Sequence, residues 1–294
     1  MKEKILTILR KRDDYVSGQE LCDGLGVSRT AVWKVINQLK TEGYVMEAVP
    51  NRGYRLVSTP DILSREELSS IRRTKWLGRD IYFYPEVTST NTKARELADE
   101  GAAHGSLVVA EVQTQGRGRR GRQWSAPKGV GIWFSLILKP QIEPNCASML
   151  TLVAAMAVAK GIGEVTNIRP SIKWPNDVVL SGKKVCGILT EMSAQIDYIN
   201  HIVVGIGINV KRQDFPEEIA ATATSVEAEC GEKISRSQLL MAVLDAFERY
   251  YELYLQTMDV SLFQEEYNSF LANRDNQVKV LDPRGAYEGI ARGV

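Results

Sequence analysis

The first sixty residues carry apolar positions at the spacing of short helices. Aliphatic residues flanked by lysines and arginines predict a first helix, and they are Ile5, Leu6, Ile8 and Leu9. Ser17, followed three residues later by Glu20, is a capping box that predicts the start of a second helix. Ser28 is placed to cap a third helix over residues 29–41, which Gly43 ends.

The third predicted helix has two chemically different faces. Its apolar face carries Val32, Val35, Ile36 and Leu39, and its polar face carries Arg29, Thr30, Lys34, Asn37 and Lys40. Residues 44–49 and 54–57 then predict two strands joined by a tight turn at 51–53. Two short helices joined by a glycine-containing turn and followed by a hairpin predict a winged helix-turn-helix.

The side chains of this unit favour DNA binding. Arginine, threonine, lysine and asparagine contact phosphates and base edges when a helix enters the major groove. The predicted DNA-binding residues are Ser28, Arg29, Thr30, Lys34, Asn37, Arg52 and Arg55. The alternative is a small helical packing module whose charged face is only solvated. DNA binding is favoured because the tip of the hairpin adds two arginines. Trp33 is assigned no role.

Beyond a linker at residues 59–61, helical and strand patterns alternate. Helices are predicted over 89–99, 149–160 and 235–272, and strands over 106–111, 131–138, 178–180, 184–191 and 202–210. This order predicts an α+β domain with a mixed, largely antiparallel sheet. The stretch 149–159 is apolar nearly all round, which indicates a buried helix that is too short to span a bilayer.

Composition narrows the class of protein. With 294 residues, 44% hydrophobic and 25% charged, the chain has ordinary globular composition and room for about two domains. The net charge of +1 indicates no global attraction to nucleic acid, although residues 1–60 carry ten basic and seven acidic side chains. Four dispersed cysteines and the lack of a secretory pattern predict a cytoplasmic protein. Two histidines disfavour a histidine zinc site or a Ser–His–Asp hydrolase.

Residues 116–122 hold the sharpest local motif, with four arginines and three glycines in seven positions. Glycine lets the backbone approach a ligand closely, and arginine suits phosphate and carboxylate. A loop that closes over an anionic small molecule is therefore predicted, mobile until the anion neutralises it. A solvated basic loop that touches nucleic acid is the alternative. The spacing matches G-x-G-x-x-G, but residues 124–127 do not begin a helix, which excludes a dinucleotide-binding fold.

Three further motifs each have a plain structural interpretation. Residues 173–177 read Lys-Trp-Pro-Asn-Asp and favour a turn in which Asn and Asp bond the backbone. Two lysines open the strand at 183–184 and are compatible with ordinary hairpin-end charges. Ser-Thr-Asn at 89–91 is compatible with a simple helix cap.

In combination these motifs resemble one family. The segments 89–91, 116–122 with Gln113, 173–177, 184–187 and 205–209 follow the order and spacing of biotin protein ligases. With the winged helix in front, essentially the whole chain resembles the bifunctional biotin ligase and biotin operon repressor family. The resemblance implies that biotin and ATP form biotinyl-5′-AMP, with Mg²⁺ as cofactor, and that biotin passes to a lysine of a biotin carboxyl carrier protein. It also implies operator DNA as a partner and a homodimer in the adenylate-bound state, with no membrane partner.

The resemblance also implies roles for individual residues. The residues expected to bind biotin are Ser89, Thr90, Asn91, Gln113, Arg117, Gly118, Arg119 and Lys184. Nucleotide binding falls to Arg119, Arg122, Trp124, Asn176, Asp177 and Asn209. The catalytic residues are then Lys184, Arg119 and Arg117, with Lys183 as the neighbouring alternative to Lys184. No residue is assigned to a resident metal.

The expected organisation is a winged helix over 1–60, a ligase domain over 61–272 and a partial SH3-like β domain over 273–294. Residues 277–281 and 286–294 predict its opening strands, with a turn at 282–285, and the closing strands are missing from the sequence. Alternatives are therefore a repressor with weak or no ligase activity, a lipoate-type ligase, or a transcription factor that senses another acyl-adenylate.

Overall fold

Three helices and a hairpin build the amino-terminal part of the chain. The computed structural model describes residues 1–195, 198–282 and 285–294. The helices are α1 (Lys2–Arg10), α2 (Gly18–Leu25) and α3 (Arg29–Thr41), and the antiparallel strands are β1 (Val45–Val49) and β2 (Gly53–Ser58). The hydroxyls of Ser17 and Ser28 accept hydrogen bonds from the backbone N–H groups of Glu20 and Ala31, which confirms both predicted caps.

A fourth helix, α4 (Arg65–Ile71), completes this first unit, which spans Met1–Arg72. Its Glu67 is 1% exposed. Arg10 Nη2 donates to both carboxylate oxygens of Glu67 at 2.7 Å, and the Tyr44 hydroxyl donates at 2.7 Å. Burial and the neighbouring Glu67 carboxylate raise the pKa of Tyr44. The unit therefore extends past residue 60, where the sequence pattern placed its end.

The second unit, Arg73–Val294, is built on one seven-stranded sheet. Along the chain its strands and the hairpin beside them are β3 (Ile81–Tyr84), β4 (Ser106–Ala110), β5 (Gln113–Arg117), β6 (Gln123–Ala126), β7 (Gly131–Leu138), β8 (Ser171–Lys173), β9 (Asp177–Leu180), β10 (Lys183–Ala194) and β11 (Ile199–Asn209). The sheet order is β3-β4-β7-β11-β10-β9-β8, while β5 and β6 pair only with each other. Only the β3–β4 pair of this sheet is parallel among the described residues, so the predicted mixed, largely antiparallel sheet is confirmed.

Helices pack against the sheet and contribute buried apolar side chains to the core beside those of the strands. They are α5 (Thr90–Asp99), α6 (Leu150–Thr166), α7 (Glu217–Ala220), α8 (Val226–Cys230), α9 (Arg236–Thr257) and α10 (Gln264–Phe270). Helix α6 packs against α9 on one side and against the sheet on the other. Helix α6 is longer than its sequence pattern predicted, and the segment Pro144–Thr166 is long and apolar enough to cross a membrane by length and composition. Because 67% of its most apolar window is buried inside the protein, it serves as a core helix.

A separate hairpin ends the described chain. Strands β12 (Gln277–Asp282) and β13 (Gly285–Ile290) pair antiparallel, as predicted for the last segment. All six residues of β13 are exposed. The predicted turn at 282–285 contains residues 283 and 284, which lie outside the described residues. The assignment of this hairpin to an SH3-like domain stays a prediction.

The buried Glu67 carboxylate makes the first unit sensitive to one substitution. We expect Glu67→Gln to lower the stability of this unit by about 2–3 kcal/mol, because Arg10 then loses its ionised acceptor. Hydrogen exchange of the slowest amides of α1 and α3 in the full chain measures the loss. Glu66→Gln removes the same charge from the adjacent position and serves as the control. Equal protection in the two variants would contradict the expectation.

Candidate functional site

A pocket lies on strands β10 and β11, beneath the β5–β6 hairpin. Ten of the thirteen residues predicted to bind biotin or nucleotide line it, and they are Ser89, Thr90, Asn91, Gln113, Arg117, Gly118, Arg119, Trp124, Asn176 and Lys184. Its floor is formed by residues 187–189 and 205–207. Four segments that are far apart in the sequence therefore meet at one cavity.

Glycines in the floor allow other side chains to lie directly on the sheet. A Cβ atom at Gly205 would lie 2.0 Å from Asn91 Oδ1. A Cβ atom at Gly207 would lie 2.6 Å from Trp124 Nε1, and one at Gly187 would lie 2.9 Å from the same indole. The ring of Trp124 thus rests on two glycines, and it packs edge-on against Trp133 with 6.3 Å between ring centroids.

The polar end of the pocket is built around the first turn of α5. Gln113 Oε1 accepts hydrogen bonds from the backbone N–H of Thr90 at 2.8 Å and from its hydroxyl at 3.1 Å. Ser89 occupies the N-cap position but makes no side-chain capping bond. The plain helix-cap interpretation of Ser89 is therefore wrong for its hydroxyl, because the carboxamide of Gln113 takes that role.

Asn91 connects this polar end to two residues that the sequence analysis missed. The Asn91 amide nitrogen donates to Glu191 Oε2 at 2.7 Å and to the backbone oxygen of Leu189 at 3.2 Å. The fully buried Ser135 hydroxyl lies 2.7 Å from Asn91 Oδ1 and 2.8 Å from Thr90 Oγ1. One signal was available, since Ser135 is a polar position inside an otherwise apolar strand.

The turn at 173–177 contacts two of the three predicted catalytic cations, Arg119 and Lys184. Arg119 Nη1 donates to Asn176 Oδ1 at 2.8 Å. Lys184 Nζ lies 2.7 Å from Asp177 Oδ1 and 5.4 Å from the centre of the Trp124 ring. Lys184 lines the pocket, whereas Lys183 is exposed, so the geometry favours Lys184 of the two candidate lysines.

The arginine-rich segment forms a short β-hairpin. Strands β5 and β6 are joined by one 3-10 turn over Arg119–Gly121, in which Arg120 has φ 56°. Residues 123–126 continue as a strand, which confirms that no helix follows the glycines. Arg117 and Arg119 line the pocket, whereas Arg122 lies outside its lining, where its backbone oxygen accepts from Gly118 N at 2.7 Å. The predicted mobility of this loop stays a prediction.

Asp177 and Asn209 also lie outside the pocket lining, but each supports it. Asp177 pairs with Lys184 as described. The buried Asn209 amide donates to the backbone oxygen of Thr224 at 3.2 Å. Residues 222–224, which the sequence analysis missed, run beside Lys184. They lie between the weakly patterned helices α7 and α8, where no local motif marks a site.

The residues predicted to bind DNA gather on the exposed side of α3 and on the hairpin. Arg29, Thr30 and Lys34 are exposed and Asn37 is half-buried, while the Ser28 hydroxyl is engaged in the helix cap. Trp33 lies on the same exposed side of α3 and is 57% exposed.

The β1–β2 hairpin is the wing of this unit, and its two arginines, Arg52 and Arg55, form ion pairs with acidic side chains. Arg52 pairs with Asp14 at 3.0 Å and Arg55 with Glu47 at 2.7 Å. The guanidinium carbons of Arg52 and Arg55 lie 4.4 Å and 5.2 Å from the centre of the Tyr15 ring. Hydrogen bonds from Tyr15 and Arg55 lower the pKa of Glu47. Both arginines of this hairpin are therefore paired with carboxylates while their side chains stay partly exposed.

Comparison with known proteins agrees with this architecture. Residues 83–209 match the biotin/lipoate A/B protein ligase family, and residues 2–55 match the HTH domain family. The chain is 41% identical over 295 residues to the bifunctional ligase/repressor BirA of Bacillus subtilis, covering 100% of this chain and 90% of that protein. It is 30% identical over 251 residues to BirA of Escherichia coli, covering 83% and 77% of the two chains.

Solved structures agree as well. A biotin protein ligase from Aquifex aeolicus in complex with biotin and ATP superposes with a TM-score of 0.64 at 32% identity, covering 74% of this chain and 88% of that one. The fold and the pocket therefore define a protein ligase of the biotin/lipoate type that carries an amino-terminal helix-turn-helix. With the full-length similarity to BirA, the chain belongs to the family of bifunctional ligase/repressors.

The close approach of Asn91 to Gly205 gives a test of the pocket floor. We expect Gly205→Ala to cost about 1–3 kcal/mol of unfolding free energy, because the new methyl group overlaps the Asn91 carboxamide. In the double variant with Asn91→Ala the overlap is removed, so the two effects should differ from additivity by at least about 0.5 kcal/mol. Urea unfolding of the four proteins measures this coupling. Strict additivity would show that the two side chains do not share this space.

Proposed function

We propose that the second unit joins biotin to ATP, forming biotinyl-5′-AMP and pyrophosphate, and then transfers biotin to a lysine of a biotin carboxyl carrier protein. The observation that carries this proposal is the pocket itself. It places the hydroxyl and amide groups of residues 89–91, which bond Gln113 and the Glu191 carboxylate, in the same cavity as the cations Arg117, Arg119 and Lys184. A ligand with a polar uncharged head and an anionic end, such as biotin, fits this distribution.

In the first step an oxygen of the biotin carboxylate attacks the α-phosphorus of ATP, and the bond from that phosphorus to the departing pyrophosphate breaks. Both reactants are anions, so fixed cations are needed where negative charge collects. Lys184 and Arg119 meet this need because both line the pocket and both are held in place by the 173–177 turn. An incoming carboxylate or phosphate shares or replaces the acceptors that these cations now use.

In the second step the amine of the carrier lysine attacks the acyl carbon of biotinyl-5′-AMP. The amide bond forms, the amine loses a proton and AMP departs as the leaving group. The proposal needs no covalent nucleophile on the enzyme. Trp124 and the β5–β6 hairpin lie over the pocket floor, where they would exclude water that otherwise hydrolyses the mixed anhydride.

We assign Mg²⁺ to the ATP rather than to a resident protein site. Within the described ranges 1–195, 198–282 and 285–294, no three His, Cys, Asp or Glu residues come together that could hold a metal ion. Mg²⁺ commonly binds through substrate phosphates with one or two protein carboxylates. Asp177, which pairs with Lys184, is a carboxylate at the edge of the pocket that suits this limited part.

We further propose that the first unit binds operator DNA as a homodimer and that biotinyl-5′-AMP promotes this state. Ordering of the arginine hairpin by the adenylate would reduce the entropy lost when a neighbouring surface dimerises. A dimer presents two winged helices, which suits a palindromic operator. The proposal includes a cytoplasmic location, since all four cysteines are unpaired, as expected in a reducing compartment.

Biotin-dependent exchange between ATP and labelled pyrophosphate tests the ligase proposal, with lipoate in a parallel reaction. Exchange with biotin alone is the expected result. Exchange with lipoate but not with biotin would show that the substrate is lipoate. No exchange with either acid would favour a repressor without ligase activity.

Lysine substitutions sharpen this test. We expect Lys184→Ala to lower the exchange rate by about 100-fold or more, because a pocket cation that stabilises the transition state is lost. Lys183→Ala removes the same charge from the exposed neighbouring position and should stay within about 2-fold of the wild type. A Lys184→Ala protein that exchanges at the wild-type rate would exclude the assigned role.

Operator binding gives a second, independent test. An operator selected from random duplex DNA by the wild-type chain should bind more tightly when biotin and ATP are both present. Lys34→Ala should weaken binding and reduce the slope of log K against log salt by about 1, because one phosphate contact is lost. Lys11→Ala, which removes a charge at the end of α1, is the control. An affinity indifferent to biotin and ATP would contradict the regulatory proposal.

A further inference from the structure

Lys184 is flanked by a segment that belongs to no strand of the sheet. The backbone N–H of Lys184 donates to the oxygen of Thr222 at 2.7 Å, and the N–H of Thr224 donates to the oxygen of Lys184 at 2.9 Å. Both main-chain groups of Lys184 are therefore satisfied by residues 222–224.

The pairing of β10 with β9 is irregular at this point, since the register shifts between Lys184 and Cys186. A shift of register interrupts the ladder locally and re-aims the side chains beside it. Residues 222–224 therefore pair with the backbone of Lys184 next to the point where the β9–β10 ladder is interrupted.

One carboxylate ties this segment to the β9–β10 turn. Glu229, on α8, accepts a hydrogen bond from the Ser181 hydroxyl at 2.6 Å and another from the Thr224 hydroxyl at 2.6 Å. Ser181 lies in the turn between β9 and β10, shortly before Lys184. Thr224 lies beside Lys184 in space. These two bonds lower the pKa of Glu229, the bond from Ser181 most, so the carboxylate stays ionised.

We propose that Glu229 is a positioning residue for Lys184. It clamps the turn before Lys184 to the segment beside Lys184, and so fixes where the ammonium group meets the reacting carboxylate and phosphate. This inference rests on the proposed role of Lys184 in adenylation. Ser181, Thr224 and Glu229 all lie outside the pocket lining, so Glu229 acts through Lys184 rather than by touching the ligand.

Helix α8 offers a matched control. Glu227 lies two residues earlier on the same helix, and its carboxylate accepts from the backbone N–H of Ile234 at 3.0 Å. Its bond stabilises the start of the segment that leads to α9 and does not involve Ser181 or Thr224. Substitution of Glu227 therefore removes an equal charge from the same helix without releasing the clamp.

The test compares wild type, Glu229→Ala, Glu229→Gln and Glu227→Ala in single-turnover formation of biotinyl-5′-AMP. For Glu229→Ala we expect the rate constant to fall ~10-fold while the apparent affinity for biotin changes less than ~2-fold, because the cation is misplaced but the polar end is intact. Glu229→Gln should recover part of the rate. Its carboxamide can accept a hydrogen bond from one of the two hydroxyls, Ser181 or Thr224, and donate a hydrogen bond to the other. Glu227→Ala should react at the wild-type rate even if it unfolds at a lower temperature.

Hydrogen exchange supplies a readout that does not depend on catalysis. The amides of Lys184 and Thr224 should exchange at least ~10-fold faster in Glu229→Ala than in Glu227→Ala, because only the first substitution frees the segment. A Glu229→Ala protein with the wild-type rate and unchanged exchange at these amides would overturn the inference. If the wild type forms no adenylate from biotin, the proposed function fails, and the exchange rates still decide whether the clamp exists.

Discussion

The site depends on a strip of sheet without side chains. At Gly187, Gly205 and Gly207 the backbone of β10 and β11 is bare, and there the Trp124 ring and the Asn91 carboxamide lie against the sheet. A methyl group at any of these positions would overlap one of them. Because the glycines leave room there, these two side chains lie in direct contact with the buried sheet and form walls of the pocket.

The cations of the pocket illustrate how charge can be held ready for an anionic substrate. Arg119 and Lys184 come from different elements, but Asn176 and Asp177 of the same turn restrain them. Preorganised charges of this kind need little rearrangement when negative charge develops, which is the condition for strong transition-state stabilisation. The polar end, by contrast, carries no cation: it is built from Thr90, Asn91 and Gln113, and Asn91 donates to the Glu191 carboxylate.

Local patterns predicted most of the elements and the residues of short motifs, because capping, periodicity and turn chemistry act within a few positions. The caps at Ser17 and Ser28 and the strand at 131–138 are examples. Contacts between distant segments were missed. Ser135 reaches α5 across 44 positions, and Glu229 reaches Ser181 across 48. The periodicity of a sequence does not predict such contacts, because the segments come together only through the topology of the sheet. The alternative interpretation of Ser89 as a plain helix cap fails for the same reason, because Gln113 from a separate strand accepts the hydrogen bond of the Thr90 N–H.

Helix α4 affects where the amino-terminal unit of such a chain could be exchanged during evolution. The Glu67 carboxylate is buried, and Arg10 and Tyr44, which donate hydrogen bonds to it, both precede the apparent linker at 59–61. If the first sixty residues were lost through gene rearrangement, Glu67 would lose the hydrogen bonds from Arg10 and Tyr44, and α4 would lose its packing against α1. A joint for exchanging amino-terminal units that keeps these contacts together lies after Arg72, whereas a joint at 59–61 separates Glu67 from Arg10 and Tyr44.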